Sequence, residues 1–213
     1  MVKCLICSNS NLLTWEVSAK PERTYFKCER CDYLFMDPEQ RLSSEQEAER
    51  YRHHQNQASA GYIKFFEPLV EEIEKQRAAN TNKALDFGCG PESVLMDLLK
   101  QKSWQVTGYD PLFLQNKNVL KERYDLVTCT EVWEHVHNPI LVFDQLQSLL
   151  ATNSLLAVMT SGYPKNAEFS SWYYRRDLTH IGFFTESTMK VIAEKYNWDL
   201  LFAKSPYWIF RKK

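Results

Sequence analysis

Four cysteines near the start of the chain have the spacing of a metal-binding module. Two residues separate Cys4 from Cys7 and Cys28 from Cys31, and residues 8–27 lie between the two pairs. Each pair can direct two thiolates at one ion, and two pairs complete the tetrahedral shell that zinc prefers. A shell of four sulfurs leaves no open position, so the pattern predicts a structural Zn²⁺. The alternative is two disulfides in a secreted domain.

A glycine-rich turn forms the second candidate site. A short predicted strand runs into Gly88-Cys89-Gly90, and a predicted helix follows. A strand, a turn and a helix in this order indicate a nucleotide-cofactor site, because glycine lets a ligand approach the backbone closely. Ser93 stands where the dinucleotide fingerprint needs a third glycine, which argues against NAD. A second predicted strand ends at Asp110, whose carboxylate can hold both hydroxyls of a ribose.

The elements that must position these residues alternate between strand and helix. Hydrophobic patterning predicts strands over 83–87, 105–109, 155–160, 200–203 and 207–210. It predicts helices over 62–73 and 94–100, a helix starting at Asn138-Pro139 and another capped by Thr185. The first of these has an apolar stripe expected to face inward, formed by Tyr62, Phe65, Phe66, Leu69, Val70 and Ile73. Pro68 should kink or interrupt the helix over 62–73.

Four segments, in their order and spacing, resemble the class I S-adenosylmethionine-dependent methyltransferases, in particular the small-molecule branch (methyltransferase type 11/12/23-like). They are the stretches 85–90, 108–111, 124–139 and 177–185, of which the last two match the patterns EVxEHxxxP and DxTHxxFFT. The resemblance covers the chain from about Tyr51 onward.

The resemblance implies a role for each matching residue. Asp86, Gly88 and Gly90 would line the methionine end of S-adenosylmethionine, and Asp110 would hold its ribose. Glu131 and the loop through His135 would close over the methyl donor and acceptor.

The resemblance also implies an α/β fold, a Rossmann-like sheet of order 3-2-1-4-5-7-6 with the last strand antiparallel. The segment between Asp110 and Asp125 is too short for the usual third strand and its helix, so we expect that region to be truncated. Adenine would then rest on apolar contacts near Leu112 and Phe113. Glu92 stands where the family has a glycine, so its side chain must turn outward or clash with the methionine carboxylate.

These observations divide the chain into three parts. Residues 1–42 are predicted to form a small zinc-ribbon-like module, and residues 43–82 a helical connector with cofactor-lid helices. Residues 83–213 are predicted to form the S-adenosylmethionine-binding methyltransferase domain.

Two histidines are the candidates for the catalytic step. Histidine suits proton removal from an acceptor because its pKa lies near neutrality. His180 lies in the long connection expected over the mouth of the site, so we expect it to take the acceptor's proton. His135 is expected nearer the cofactor. The alternatives are a loop-orienting hydrogen bond for His135 and simple packing beside Phe183 and Phe184 for His180.

Composition limits the classes of partner. The 213 residues include 26 basic and 27 acidic side chains, a net charge of −1, which argues against nucleic acid while leaving a local patch open. The apolar runs are too short for a membrane span and no export signal precedes them, so we expect a cytoplasmic protein. The sequence does not predict the oligomeric state.

The leading hypothesis is therefore a small-molecule methyltransferase that uses S-adenosylmethionine and a structural zinc. Two alternatives stay open at this point. One is a zinc-containing RNA methyltransferase, and the other is a zinc-ribbon adaptor whose methyltransferase domain is degenerate.

Overall fold

The computed structural model describes residues 2–53, 60–164 and 168–213, which form two β-sheets and the helices around them. In chain order the strands are β1 (Leu12–Val17), β2 (Arg23–Cys28), β3 (Leu34–Met36), β4 (Lys83–Phe87), β5 (Gln105–Tyr109), β6 (Tyr124–Thr130), β7 (Leu150–Met159), β8 (Gly182–Phe183), β9 (Trp198–Lys204) and β10 (Tyr207–Lys212). The helices are α1 (Ser44–His53), α2 (Ala60–Gln76), α3 (Val94–Gln101), α4 (Pro139–Leu149), α5 (Glu168–Ser171) and α6 (Glu186–Tyr196). Among the described residues, no helix is long and apolar enough to cross a bilayer.

The larger sheet has the order β5-β4-β6-β7-β10-β9. Strands β5, β4, β6 and β7 are parallel, and β10 is antiparallel to both of its neighbours. Residues 110–123, all of which the structure describes, contain a bridge between Asp110 and Leu114 and a 3-10 turn at Lys117–Lys121, but no strand. The predicted Rossmann-like sheet with a truncated third-strand region is thus confirmed.

Helix α2 covers one face of this sheet. Phe66 and Leu69 are buried against β4 and β7 residues, as the apolar stripe predicted. Phe65, which the same stripe placed inward, is 37% exposed because it lies at the edge of the stripe. Pro68 lies inside a continuous helix rather than at a break, since burial of the apolar face stabilises the helix around it. The side chain of Tyr62, also part of the predicted stripe, lies outside the described residues.

Two further elements differ in detail from the prediction. Strand β7 starts at Leu150 rather than at Leu155, directly after α4, and Asn153 adopts a left-handed φ of 63° within it. Helix α4 begins at Pro139 as predicted, but the Asn138 side chain makes no capping hydrogen bond. Thr185 caps α6 as predicted.

The smaller sheet joins the N-terminal segment to a short strand late in the chain. Its order is β1-β2-β3-β8, so the strand Gly182–Phe183 extends a sheet formed otherwise by residues 12–36. Leu34 pairs with Phe183, and the Met36 amide donates to the Ile181 carbonyl at 2.8 Å. The backbone around His180 is therefore held by the cysteine-containing segment. The division at residue 42 stays a prediction.

Arg175 forms a second tie between these segments. Its side chain is fully buried, and its guanidinium donates to the carbonyls of Ala19 at 2.7 Å, Pro21 at 3.0 Å and Ser170 at 2.9 Å. These bonds fix the loop between β1 and β2 against the segment that carries Tyr174.

Candidate active site and metal centre

The turn between β4 and α3 contains the two predicted glycines. Both have positive φ, 79° at Gly88 and 66° at Gly90, a region that side chains disfavour. A Cβ on Gly88 would overlap the Val132 side chain, whereas a Cβ on Gly90 would meet nothing within 4 Å. Gly88 is thus required by packing, and Gly90 leaves open space over its backbone.

Asp86 organises this turn from beneath. Its carboxylate is buried and accepts hydrogen bonds from Ser93 Oγ and Thr128 Oγ1, both at 2.7 Å. Burial raises the pKa of Asp86, and the two hydroxyl hydrogen bonds oppose that rise. Because Ser93 is also the N-cap of α3, Asp86 links the end of β4 to the start of the helix.

Asp110 connects the glycine-rich turn after β4 to the loop after β5 through hydrogen bonds. Its Oδ2 accepts from the Gly90 amide at 3.1 Å, and its Oδ1 accepts from the amides of Leu112 at 2.8 Å and Phe113 at 3.0 Å. A carboxylate offers about four acceptor positions, so about one is left for a ligand hydroxyl in this conformation.

A cavity of about 90 Å³ lies at the carboxyl ends of β4 and β6. Its lining contains four of the five predicted cofactor residues, and the full set is Phe66, Asp86, Gly88, Cys89, Gly90, Glu92, Ser93, Val94, Thr130 and Glu131. Sites for drug-sized ligands span roughly 300–1,000 Å³, so this cavity fits only one end of such a molecule. Glu92 is exposed to solvent and also lines this cavity, so its outward position stays a prediction.

Glu131 lies where this cavity meets the second half of the site. It adopts a left-handed φ of 53°, and its amide donates to the Met159 carbonyl at 2.8 Å. Its Oε2 lies 3.3 Å from the Tyr174 hydroxyl, while its buried Oε1 has no hydrogen-bond partner. Burial, and then the charge of Glu134, raise the pKa of Glu131 to about 8.

The two predicted catalytic histidines are neighbours. The ring centroids of His135 and His180 are 4.6 Å apart, and those of His180 and Tyr174 are 4.0 Å apart. Glu134 is fully buried beside them, and its Oε1 accepts a hydrogen bond from the Tyr174 hydroxyl and lies 3.9 Å from His135 Nε2. The site thus combines two carboxyls, two imidazoles and a phenol.

The environment of His180 bears on its predicted role. Its Nδ1 lies 2.7 Å from the Tyr174 carbonyl, and its ring contacts are with Tyr174 and His135. Burial, and then the neighbouring His135, lower the pKa of His180 to about 4, so the ring is neutral at pH 7. His135 Nδ1 lies 3.1 Å from the Thr179 carbonyl. This contact is of the kind expected if His135 orients the loop rather than acting in catalysis.

The four N-terminal cysteines meet at one point. Their sulfurs all lie within 4.8 Å of one another, with Cys4 and Cys31 at 3.5 Å and Cys7 and Cys28 also at 3.5 Å. A disulfide needs about 2.05 Å, so these sulfurs are not bonded in pairs. Tetrahedral zinc at about 2.3 Å from each sulfur would separate the sulfurs by about 3.8 Å, so the cluster has the dimensions of a zinc site.

Sequence reasoning missed two buried residues of the site. Glu134 was visible only as part of the motif, although its position three residues after Glu131 and next to His135 could have indicated a shared site. Thr128, the hydroxyl donor to Asp86, lies inside a buried strand and gave no signal in the sequence.

Comparison with known proteins identifies relatives along most of the chain. A family model described as a methyltransferase domain matches residues 51–202. Ubiquinone biosynthesis O-methyltransferase of Histophilus somni (strain 2336) is 28% identical over 132 residues, which is 48% of this chain and 53% of that protein. The chain thus spans about half the length of this curated relative.

Two solved structures share the fold. Magnesium protoporphyrin IX methyltransferase of Synechocystis PCC 6803, with bound SAH, has a TM-score of 0.52 at 15% identity over 80% of this chain and 95% of that chain. An O-methyltransferase family protein of Burkholderia thailandensis has a TM-score of 0.52 at 10% identity over 70% of this chain and 56% of that chain. With the family model matching more than half of its residues, the chain belongs to the methyltransferase-domain family.

Proposed function

We propose that this protein transfers a methyl group from S-adenosylmethionine to a small-molecule acceptor. One observation carries the proposal: Asp86, Gly90 and Glu131 line one cavity at the carboxyl ends of parallel strands, and Asp110 lies at its edge. Ligands of open α/β sheets bind at that edge. The names of the relatives, a ubiquinone biosynthesis O-methyltransferase and a magnesium protoporphyrin IX methyltransferase, support a small molecule as acceptor.

Different residues of the site fit different parts of the methyl donor. The open backbone at Gly90 and the cavity above Asp86 would take the amino-acid end, and one remaining acceptor position on Asp110 would bind a ribose hydroxyl. Leu112 and Phe113, both exposed, would cover the adenine. When bound, S-adenosylmethionine supplies a methyl group on a sulfonium, which is already activated for displacement.

The acceptor would lie on the other side of Glu131. His135 and His180 are the proposed catalytic residues there, with Tyr174 fixing the carboxyls of Glu131 and Glu134. The protein's contribution to a methyl displacement is alignment of the acceptor and exclusion of water. The buried cluster of His180, Tyr174 and Glu134 is suited to both.

The four cysteines are proposed to bind one structural Zn²⁺, which would hold the two C-x-x-C turns together. The aromatic residues of this segment argue against a base-stacking surface, because Tyr25, Tyr33 and Phe35 are buried in the core. We retain the proposed division into a module over 1–42, a connector over 43–82 and a methyltransferase domain over 83–213. Phe66 of the connector lines the cofactor cavity, which supports a lid role for α2.

Calorimetric titration tests the proposal. The protein should bind S-adenosylmethionine and its demethylated product at one site per chain and should not bind NAD. Gly90→Val should abolish binding, because it fills the open space over the turn, whereas Asp199→Asn, an exposed change on β9, should not alter it. Binding of NAD, or binding of neither ligand by folded protein, would refute the proposed activity.

A further inference from the structure

A second group of metal-ligand side chains lies apart from the four cysteines. Glu134, His135 and His180 each offer one ligand atom, and these atoms all lie within 4.8 Å of one another. Two histidines and one carboxylate are a recurrent ligand set for divalent transition metals, including catalytic zinc and non-haem iron. Such a set leaves coordination positions open for water or for a substrate oxygen.

The hydrogen bonds of the two rings fix which nitrogen carries the lone pair. His135 Nδ1 faces the Thr179 carbonyl at 3.1 Å, and His180 Nδ1 faces the Tyr174 carbonyl at 2.7 Å. A carbonyl only accepts, so each Nδ1 carries the hydrogen and each Nε2 carries the lone pair. Metal-binding histidines are oriented in this way, with the second ring nitrogen donating to a carbonyl or carboxylate.

The carboxylate of Glu134 supplies an independent observation. The residue is fully buried; its Oε1 accepts from Tyr174, and its Oε2 has no partner at hydrogen-bond distance, although the Thr160 hydroxyl, which also lacks one, interacts with the carboxylate. A buried carboxylate oxygen without a partner is costly, and native structures avoid it unless an ion or a functional group is bound there. The buried Oε1 of Glu131, at the edge of the same group, also has no partner.

The three ligand atoms would have to move closer together to bind a metal ion. His135 Nε2 lies 3.9 Å from Glu134 Oε1. Metal bonds of about 2.0–2.2 Å place neighbouring ligand atoms about 3–3.5 Å apart. For this pair the difference is under about 1 Å, and for the other two pairs, whose atoms lie within 4.8 Å, it is at most about 1.8 Å. Rotation of the side chains can supply such shifts.

We propose that Glu134, His135 and His180 bind one divalent transition-metal cation on the acceptor side of the site. Imidazole and carboxylate ligands favour zinc, iron or manganese, whereas the four thiolates near the N-terminus form a softer, closed site. An open position on the cation would bind an acceptor hydroxyl and lower its pKa. The proton would then pass to a water molecule, and the acceptor oxygen would take the methyl group as the bond from that group to the sulfonium sulfur breaks. In that case the two histidines act as ligands, and the predicted proton transfer to His180 is not needed. The inference about the acceptor rests on the proposed function, but the metal site does not.

Metal stoichiometry tests the site without any acceptor. Protein is first loaded with one equivalent of Zn²⁺ at the cysteines and then titrated with Mn²⁺, with binding followed by electron paramagnetic resonance and calorimetry. We expect one further equivalent to bind to the wild-type protein. Glu134→Gln and His180→Gln should each weaken Mn²⁺ binding at least 10-fold.

Two further variants keep the result interpretable. His135→Gln changes the least buried ligand and should show the same loss even if the buried variants fail to fold. His137→Gln is the matched control, because His137 is exposed and pairs with Glu47 outside the site, and it should bind Mn²⁺ as the wild type does. A wild-type protein that binds no second equivalent, of Mn²⁺ or of Zn²⁺, would overturn the proposal. So would ligand variants that bind like His137→Gln.

Titration of the same samples with S-adenosylmethionine separates this proposal from the proposed function. Metal binding without cofactor binding would refute the methyltransferase activity and leave the metal site standing. Cofactor binding without a second metal equivalent would refute the metal site and leave the methyltransferase activity standing.

Discussion

Asp110 is predicted to have two separable functions, one in stability and one in cofactor binding. Asp110→Ala removes the acceptor of three backbone amides, those of Gly90, Leu112 and Phe113. A hydrogen bond to a charged group contributes about 1.5–3 kcal/mol, but loop amides regain water when the carboxylate is lost. We therefore expect a loss of about 2–4 kcal/mol in the free energy of unfolding, well below the sum of three bonds. For a chain of this length the loss corresponds to about 4–16 °C in Tm.

The loss of cofactor affinity in Asp110→Ala should be smaller than if the carboxylate bound both ribose hydroxyls. About one acceptor position remains on Asp110, so Asp110→Ala should weaken S-adenosylmethionine binding by about 1.5–3 kcal/mol, roughly 10- to 150-fold. Asp110→Asn is the matched variant: its carbonyl oxygen can keep the Leu112 and Phe113 amides, but its NH₂ group cannot accept from Gly90.

Urea unfolding and calorimetry measure the two effects separately. Asp110→Asn should lose about half as much stability as Asp110→Ala, since it can keep part of the amide network. An unchanged unfolding midpoint in Asp110→Ala would refute the role of the carboxylate as a tie between the two loops. A destabilised Asp110→Ala with full cofactor affinity would show that the ribose is held elsewhere.

Three further outcomes are expected. Gly88→Ala should lower the free energy of unfolding by more than 2 kcal/mol, because the added Cβ would have a positive φ and would overlap Val132. Gly90→Ala should lower it by only about 1 kcal/mol, because only the positive φ opposes that Cβ. Equal losses in urea unfolding would contradict this difference. Thr128→Val should destabilise the protein by about 1–3 kcal/mol, and by more at pH 7.5 than at pH 4.5. The Thr128 hydroxyl donates to the Asp86 carboxylate and lowers its pKa, so its loss costs most where Asp86 is ionised, whereas the protonated form that burial favours at low pH depends on it less. A loss independent of pH would contradict this reasoning. Chelation at pH 8 should make the four N-terminal cysteines react with Ellman's reagent, while Cys89 and Cys129 react slowly. Burial raises the pKa of Cys89 to about 12 and that of Cys129 well above its usual value. Six fast thiols would contradict both the metal role of the four and the burial of these two.

The sequence predicted the large sheet well because its signals are local. Strand β4 was predicted with its observed bounds, since a glycine turn and a capped helix follow it directly. The missing third strand could be inferred from the short distance between Asp110 and Asp125 alone. Strand β7 was predicted too short, because Thr152, Asn153 and Ser154 interrupt its apolar pattern after Leu150 and Ala151.

Contacts between distant segments were not predictable in the same way. Strand β8 has two residues and exists only because β3 lies beside it, so no pattern within residues 177–185 indicates it. Glu134 was not recognised as a site residue because its partners, Tyr174 and His180, lie more than thirty residues away. The sequence indicates a ribose role for Asp110 but not its three amide contacts, because these depend on how the two loops meet.

The pairing of β3 with β8 has a consequence for any shortened form of this protein. The family model begins at residue 51, so a fragment cut at that limit would keep β8 and lose β1, β2 and β3. Gly182–Phe183 would then be an unpaired edge, with the buried Phe183 and Phe184 newly exposed beside it. Uncovered edges with apolar side chains pair with other chains and aggregate. A fragment chosen from the family boundary would therefore precipitate, even though it retains every strand of the large sheet.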